Sequence, residues 1–490
     1  MENEDGPVGI VKRDIAAIEK PLELYYEQIA YRVARGLASV EDERNRDRVF
    51  RQFYDELKDQ NFVPAGRVLN GAGSGTDVTY FNCYVMPFPQ DSRGGISDHR
   101  KMVKEIMSRG GGVGTNGSTL RPKNALARGV NGKSSGSVSW LDDLSKLTNL
   151  VEQGGSRRGA QMIMLNDWHP DIPEFIISKM QNPKILNFII QTTKDEHIKR
   201  LAKNKLKFIP FTKDEKDNLD AAAKYWSLLE TDEAKEKVMG IIRQLSTGGR
   251  YEVNRPDFLE GANISVCITK EFMHAVENDL DYSLRFPHVE ALDKEGMEFY
   301  NEQWHKLGDV REWQRLGYPV KHYRNVKAKE LWNLINICAT YSAEPGIFFI
   351  DNANDATNAR AYGQQVVATN PCGEQPLAPF SVCNLAAVNL AKMVDENGQV
   401  DWFKLRKTVR VGVRMQDNVI SATPYFLEQN TTQALGERRV GLGVMGLHDM
   451  LLLAGVAYGS EQGNKLVDKT FETIATVAYS QSIELAKEKG

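Results

Sequence analysis

Thr369-Asn370-Pro371-Cys372-Gly373-Glu374-Gln375-Pro376-Leu377 is the most informative stretch of this 490-residue sequence. An amide, a thiol and a carboxylate alternate at 370, 372 and 374. In an extended backbone, alternate side chains share one face and sit roughly 6–7 Å apart. Such a triplet aims a hydrogen-bonding amide, a sulfur and an acid or base at a common ligand. Pro371 and Pro376 argue against a central sheet strand, because proline donates no ladder hydrogen bond. An exposed or threaded loop is the expected setting, and Gly373 lets a backbone or a ligand come close. Eleven residues after Cys372 comes Cys383, in Phe380-Ser381-Val382-Cys383-Asn384-Leu385. The same letters also read as a turn before a strand with incidental cysteines, and both readings stand at this point.

Outward from this stretch, helices, glycine-rich loops and short apolar strands alternate, which is the signature of an α/β chain. Residues 20–60 read as two helices, with Leu22, Tyr26, Ile29, Val33 and Leu37 at helical spacing. Residues 62–75 read as a glycine-rich loop, 81–86 as a strand carrying Cys83, and 97–109 as a helix stopped by Gly110-Gly111-Gly112. An amphipathic helix is expected over 137–152, then a basic loop at Ser156-Arg157-Arg158-Gly159 and an apolar strand over 162–165. The glycine loops at 71–75 and 110–117 could wrap phosphates with backbone N–H groups, although turns need glycine anyway. Arg157 and Arg158 suit phosphate or base contacts. His169, between Trp168 and Pro170, reads as structural rather than as a metal ligand. The stretches at about 195–260 and 290–326 read as charged helical insertions, and 440–458 as packed helices. Residues 480–490 read as a helix at whose C-terminus the chain looks cut.

Composition narrows the function class. The net charge is −3, so no global basic field exists to hold a nucleic acid backbone. Residues 1–7 are acidic and polar, unlike a signal peptide. The most apolar stretch is broken by glycines, His448 and Asp449, unlike a membrane span. Five cysteines, Cys83, Cys267, Cys338, Cys372 and Cys383, are too few and odd in number for a disulfide framework. None forms a Cys-x-x-Cys pair or sits beside a histidine at finger spacing, so no structural zinc site is expected. Cys267 and Cys338 lie in apolar contexts and read as core. A cytoplasmic enzyme is the default that remains.

The quoted stretch resembles the finger loop of ribonucleotide reductase large chains. Proline after Asn370, Gln375-Pro376-Leu377 after Glu374, and the cysteine eleven residues on resemble the class II, adenosylcobalamin-dependent branch. Other blocks match in order: 64–73 leading to Asn82-Cys83, Arg109-Gly110-Gly111-Gly112-Val113-Gly114, and Gln153-Gly154-Gly155-Ser156-Arg157-Arg158-Gly159-Ala160. Ala262-Asn263-Ile264-Ser265-Val266 and Arg438-Arg439-Val440-Gly441-Leu442-Gly443 follow. The resemblance covers nearly the whole chain apart from the two charged stretches.

The resemblance implies an α/β fold, an incomplete ten-stranded barrel of two parallel half-sheets over 63–490, after a helical region at 1–62. It implies reduction of ribonucleotides to 2′-deoxyribonucleotides through a thiyl radical on Cys372. Glu374 would act as general base on the 3′ hydroxyl and Asn370 would hold that oxygen. Cys83 and Cys383 would supply two reducing equivalents and become a disulfide. Asn82, Gly112, Asn370, Pro371 and Gly373 would line the substrate. Gln153, Ser156, Arg157 and Arg158 would form the loop that couples a deoxynucleotide or ATP effector to base choice. The helix before that loop would serve the effector site and a homodimer interface. Adenosylcobalamin would supply the radical and a thioredoxin-like protein the electrons, with no structural metal, nucleic acid or membrane partner.

The sequence also departs from the family. A Pro-Thr-Gly-Thr phosphate turn, the remaining barrel strands and a cysteine-bearing tail are not present in it. A split or truncated reductase that needs a second chain to complete the barrel is therefore the expectation. Two rivals stay open. One is a class I large chain served by a radical-generating partner. The other is a nucleotide-binding relic without activity, which would have no reason to keep Cys372, Glu374, Cys83 and Cys383 together.

Overall fold

Helices Tyr26–Ala38 and Glu43–Lys58 realise the periodicity read near the N-terminus, with Val33, Leu37, Val49, Phe53 and Leu57 turned into a core. The computed structural model describes residues 23–127, 132–153, 157–224 and 231–490, so Leu22 lies outside the described residues. The chain divides into two units. One comprises residues up to Asn116, Leu147–Met162 and Thr357–Gly490, and the other Gly117–Lys146 and Ile163–Ala356.

The first unit holds three neighbouring strands of a six-stranded sheet and a separate three-stranded sheet. In one, Val382–Cys383 pairs antiparallel with Cys83–Val85, which pairs parallel with Gly112–Asn116. In the other, Phe62–Pro64 pairs antiparallel with Leu385–Asn389, which pairs parallel with Gly441–Met445. The long helix Trp402–Ala422 lies in the same core and buries Leu405, Val409, Val413 and Met415. Its Asp401 cap accepts from Lys404 N at 2.9 Å, satisfying one of the free N–H groups of a helix start. Phe62 packs so tightly on Gly412 that a Cβ there would lie 2.3 Å from the ring. Arg32 is buried yet fully engaged. It pairs with Glu23 and donates to the carbonyls of Ala72 and Leu69 at 2.6 and 2.8 Å. Helix Glu461–Lys489 ties back through Glu488, which accepts from Arg414 at 2.7 Å.

The second unit has its own core around Trp168, Phe175, Phe286, Trp304 and Trp313. Asn263–Ile268 pairs parallel with Gly346–Phe349, and the hairpin-like pair Asp281–Pro287 and Val320–Lys327 runs antiparallel. The indole of Trp304 donates to Thr119 O at 2.8 Å, so its polar edge is not left dry.

Several local readings change. Residues 62–75 are a strand, Phe62–Pro64, and a short helix, Gly66–Gly71, rather than a loop. Residues 110–117 carry a strand, Gly112–Asn116, that is buried at every position. Within 440–458 a strand, Gly441–Met445, precedes helix Leu447–Leu453. Residues 195–260 include an antiparallel strand pair, Leu206–Pro210 with Gly249–Val253, beside helices. In 290–326 the helix Lys294–Leu307 buries Tyr300 and Trp304 despite its charged face. No helix among the described residues is long and apolar enough to cross a membrane.

Candidate active site

Cys83 sits on a strand held on both sides, and the antiparallel register places it directly across from Cys383. Residues opposite each other in an antiparallel pair have Cα atoms about 4.5–5.5 Å apart, a span that a disulfide can bridge. Both are present as free thiols and both are buried. A hydrogen bond with Cys83 is the main force pushing the Cys383 thiol up, followed by burial and by the nearness of Cys83 and Glu374. Arg439 pulls the other way without reversing the direction. Cys383 is therefore a neutral thiol at ordinary pH, with a proton to give.

Asn370 stands next to this pair. Its Nδ2 donates to the sulfur of Cys83 at 3.6 Å, and its Oδ1 accepts from Gln375 N at 3.0 Å. Its own backbone N donates to Gln375 O at 3.3 Å, and its carbonyl accepts from Gly373 N at 3.0 Å. These bonds close a turn between the paired strands Ala368–Thr369 and Pro376–Leu377. The segment is thus not extended across 370–374. Gly373 has φ +84°, a left-handed value that suits glycine. The consequence is a division of labour. Asn370 and Pro371 are buried, while Cys372, Gly373 and Glu374 are exposed at the apex.

The glycines of Gly112–Asn116 explain how this hairpin is seated. A Cβ on Gly114 would lie 1.8 Å from the carbonyl oxygen of Thr369. One on Gly112 would lie 2.8 Å from the Pro371 ring and 3.4 Å from the sulfur of Cys83. Asn116 completes the seat, its Nδ2 donating to Val367 O at 2.9 Å. The glycine run is therefore a close-approach surface for another backbone, not a phosphate loop.

Asn82 borders the same place. Its carbonyl accepts from Gly112 N at 2.8 Å, but its side-chain Oδ1 is buried with no partner among the described residues. A buried acceptor without a donor costs about 1–3 kcal/mol, which a ligand hydroxyl or N–H would recover. On the far side, Glu437 accepts from Gln433 Nε2 at 3.1 Å, Ser381 Oγ at 3.3 Å and Arg439 Nη2 at 3.3 Å. This fixes the segment leading into Cys383.

The structure thus brings Cys83, Cys383, Asn370, Pro371, Gly112 and Asn82 together, with Cys372, Gly373 and Glu374 on the adjoining apex. For the loop at 153–158, strands Glu152–Gln153 and Arg157–Arg158 pair antiparallel, while Ser156 lies outside the described residues. Cys267, Cys338 and His169 are fully buried, as read, and His169 Nε2 bonds Leu120 O at 2.9 Å. The sequence reading missed Asn116, Gln375 and Glu437. Gln375 and Arg439 stood in blocks already noted, and nothing in the letters told that one closes the turn and the other acts on Cys383.

Known proteins give this geometry a family. The profile described as "Ribonucleotide reductase, barrel domain" matches residues 81–490, and "Ribonucleotide reductase, all-alpha domain" matches 16–77. The chain belongs to the ribonucleotide reductase family. Its fold is accordingly that of the reductase barrel domain behind a helical N-terminal domain. A vitamin B12-dependent ribonucleoside-diphosphate reductase of Thermoplasma acidophilum is 29% identical over 90% of this chain and 43% of its own length. One from Mycobacterium tuberculosis is 28% identical over 94% of this chain and 51% of its own. A ribonucleoside-diphosphate reductase large chain of Cryptosporidium parvum is 26% identical over 98% of this chain and 49% of its own. The chain spans about half the length of the curated relatives it matches.

Proposed function

We propose that this chain carries the thiol chemistry of an adenosylcobalamin-dependent ribonucleotide reductase. The observation that carries the reading is Cys83 placed opposite Cys383, with Asn370 on the sulfur of Cys83 and Cys372 exposed on the adjoining turn. Removing a ribose 2′ hydroxyl takes two electrons and two hydrogens. A dithiol supplies both, so R–OH and two thiols become R–H, water and one disulfide. Two buried thiols facing each other suit that step. The exposed Cys372 suits the other requirement, a thiol whose hydrogen can be removed so that its sulfur can take the 3′ hydrogen. Glu374, also exposed, would accept the 3′ hydroxyl proton. Asn370 would hold the 3′ oxygen by exchanging its weak 3.6 Å contact with Cys83 for it. Asn82, Gly112, Pro371 and Gly373 would line the substrate, with the unpartnered Asn82 oxygen receiving a ribose hydroxyl.

Adenosylcobalamin, when bound, supplies a carbon-centred radical able to take a hydrogen atom from a thiol. The exposure of Cys372 fits a group arriving from outside the turn. The names of the Thermoplasma and Mycobacterium relatives support this cofactor. The similarity to the Cryptosporidium large chain favours a second reading, in which a partner subunit delivers the radical. Cofactor dependence separates them, since deoxynucleotide formation that requires adenosylcobalamin upholds the first and formation without it the second.

Ribonucleoside diphosphate is the substrate the relatives' names favour. A deoxynucleotide or ATP effector would act through Gln153, Ser156, Arg157 and Arg158. A thioredoxin-like protein would regenerate the thiols, and helix Ser137–Leu150 would serve a homodimer. We also propose that further polypeptide, in this chain's own continuation or a second chain, covers the Gly441–Met445 strand. That strand is paired on one side only, to Leu385–Asn389, among the described residues. Leu452, Leu453, Tyr479 and Ile483 are exposed in the same unit. Turnover by this chain alone would refute the need for that complement.

A further inference from the structure

In the second unit, a cleft of about 220 Å³ opens between the ends of helices Ile172–Ile177 and Glu196–Asn204 and the turn at 254–258. We propose that this cleft binds a small phosphate monoester, with the phosphate at Lys205 and Arg255 and the organic part against Ile177, Leu201 and Phe258. The proposal is independent of the reductase reading.

Three observations carry it. The first is Lys205. Its ammonium donates to the carbonyl of Ser178, and no carboxylate lies within ion-pair distance of it among the described residues. Burial, and then the positive charge of Arg255, lower its pKa to about 8. A cation held beside another cation without a counter-ion is a site prepared for an anion. The second is Arg255. Its backbone sits at φ +55°, and Leu259 four residues on sits at +57°, both left-handed without being glycine. Such strain persists where the surrounding structure fixes it, and it concentrates at ligand clamps. Here the clamp is visible. Arg255 lies over the Phe258 ring at 4.5 Å and one edge is tethered to Asp142 at 2.8 Å. Asp142 also binds Leu259 N at 3.0 Å and Lys146 at 2.9 Å, so it is already shared and does not neutralise the cleft. The third is the balance of charge. Lys123 at the rim is matched by Glu174 at 3.2 Å, and Asp257 tempers the field at Lys205. What remains is one half-buried ammonium beside one guanidinium, two charges that can meet the two charges of a phosphate monoester dianion. The volume lies below the roughly 300–1,000 Å³ of drug-sized sites, which limits the ester to a small one.

The test is lysine acetylation by acetic anhydride, read residue by residue by peptide mapping on the unaltered protein, with phenyl phosphate as the probe. Lys205 should be acetylated roughly tenfold more slowly when phenyl phosphate is present at about ten times its Kd. Exposed Lys203 should be unaffected. Potassium chloride at equal ionic strength should not protect, and inorganic phosphate should need a higher concentration. Arg255→Gln should lose the protection while keeping a native melting curve. Equal rates with and without phenyl phosphate would overturn the site. Protection reproduced by potassium chloride would overturn it as well, and inorganic phosphate acting at the same concentration would overturn the ester assignment.

Discussion

Cys383 has its proton held by a hydrogen bond to Cys83 and by burial, so it stands as a thiol rather than a thiolate. Replacing either sulfur by serine should stop multiple turnover in a complemented assay while nucleotide binding persists. Cys372→Ser should abolish product altogether, and product at the wild-type rate would discard its radical role. Asn370→Ala should cost more than a substrate contact, because it also removes the acceptor for Gln375 N at 3.0 Å that closes the turn. Elsewhere at this scale, burial raises the Asp167 carboxyl to about 7, against hydrogen bonds from Thr269 N and the Tyr282 hydroxyl. A carboxyl raised in the folded state binds its proton more tightly there than in the unfolded chain. Its contribution is full below its unfolded value near 4 and is lost as pH rises to about 7. Asp171, raised to about 6 by burial, adds in the same direction. Burial holds His99 and His197 near 4, and these act the other way up to about pH 6.5, so the Asp167 contribution is read as a difference: the melting temperature of the unaltered protein minus that of Asp167→Asn should fall between about pH 4 and pH 7. A difference that stays constant or rises across that window would contradict this.

The hairpin that carries Asn370, Cys372 and Glu374 depends on a neighbouring strand with no side chains in the way. Gly114→Ala puts a methyl 1.8 Å from a backbone carbonyl, which cannot rotate aside. It should destabilise the fold by about 1–3 kcal/mol or more and displace the turn, measured as a lowered urea midpoint with loss of activity. Trp304→Ala in the other core should cost about 3–5 kcal/mol, since it removes a buried indole together with its hydrogen bond to Thr119 O. Legibility at this scale followed the physics of each segment. The helices at 26–38 and 43–58 were readable because one apolar stripe repeats at 3.6 residues. Gly110–Gly117 was misread because glycine serves both loops and strands that another backbone must approach, and only the Thr369 contact tells which. The segment at 370–374 was read as an exposed or threaded loop, and its residues do form an exposed apex, but the sharing of one face by 370, 372 and 374 was not legible, because a side chain and one left-handed glycine close a turn there. The pairing of Cys83 with Cys383, 300 residues apart, came from the family resemblance rather than from local pattern. The register then placed them opposite each other.

At the scale of the whole molecule, each unit has its own core, and the proposed reductase site lies within the first. The family was legible because its motifs follow one another in order along nearly the entire sequence. Asn116, Gln375 and Glu437 were not, because each acts through a contact between segments distant in sequence or through a backbone atom. The central claim is that Cys83 and Cys383 deliver the electrons for one reduction beneath the Cys372 turn. The most direct measurement is a single-turnover reaction. The chain would be combined with any completing polypeptide, prereduced and freed of reductant, then given a ribonucleoside diphosphate and adenosylcobalamin. Product and disulfide would be quantified together. The account predicts one deoxyribonucleotide for each Cys83–Cys383 disulfide found by peptide mapping. Product formed while both cysteines remain thiols would contradict it.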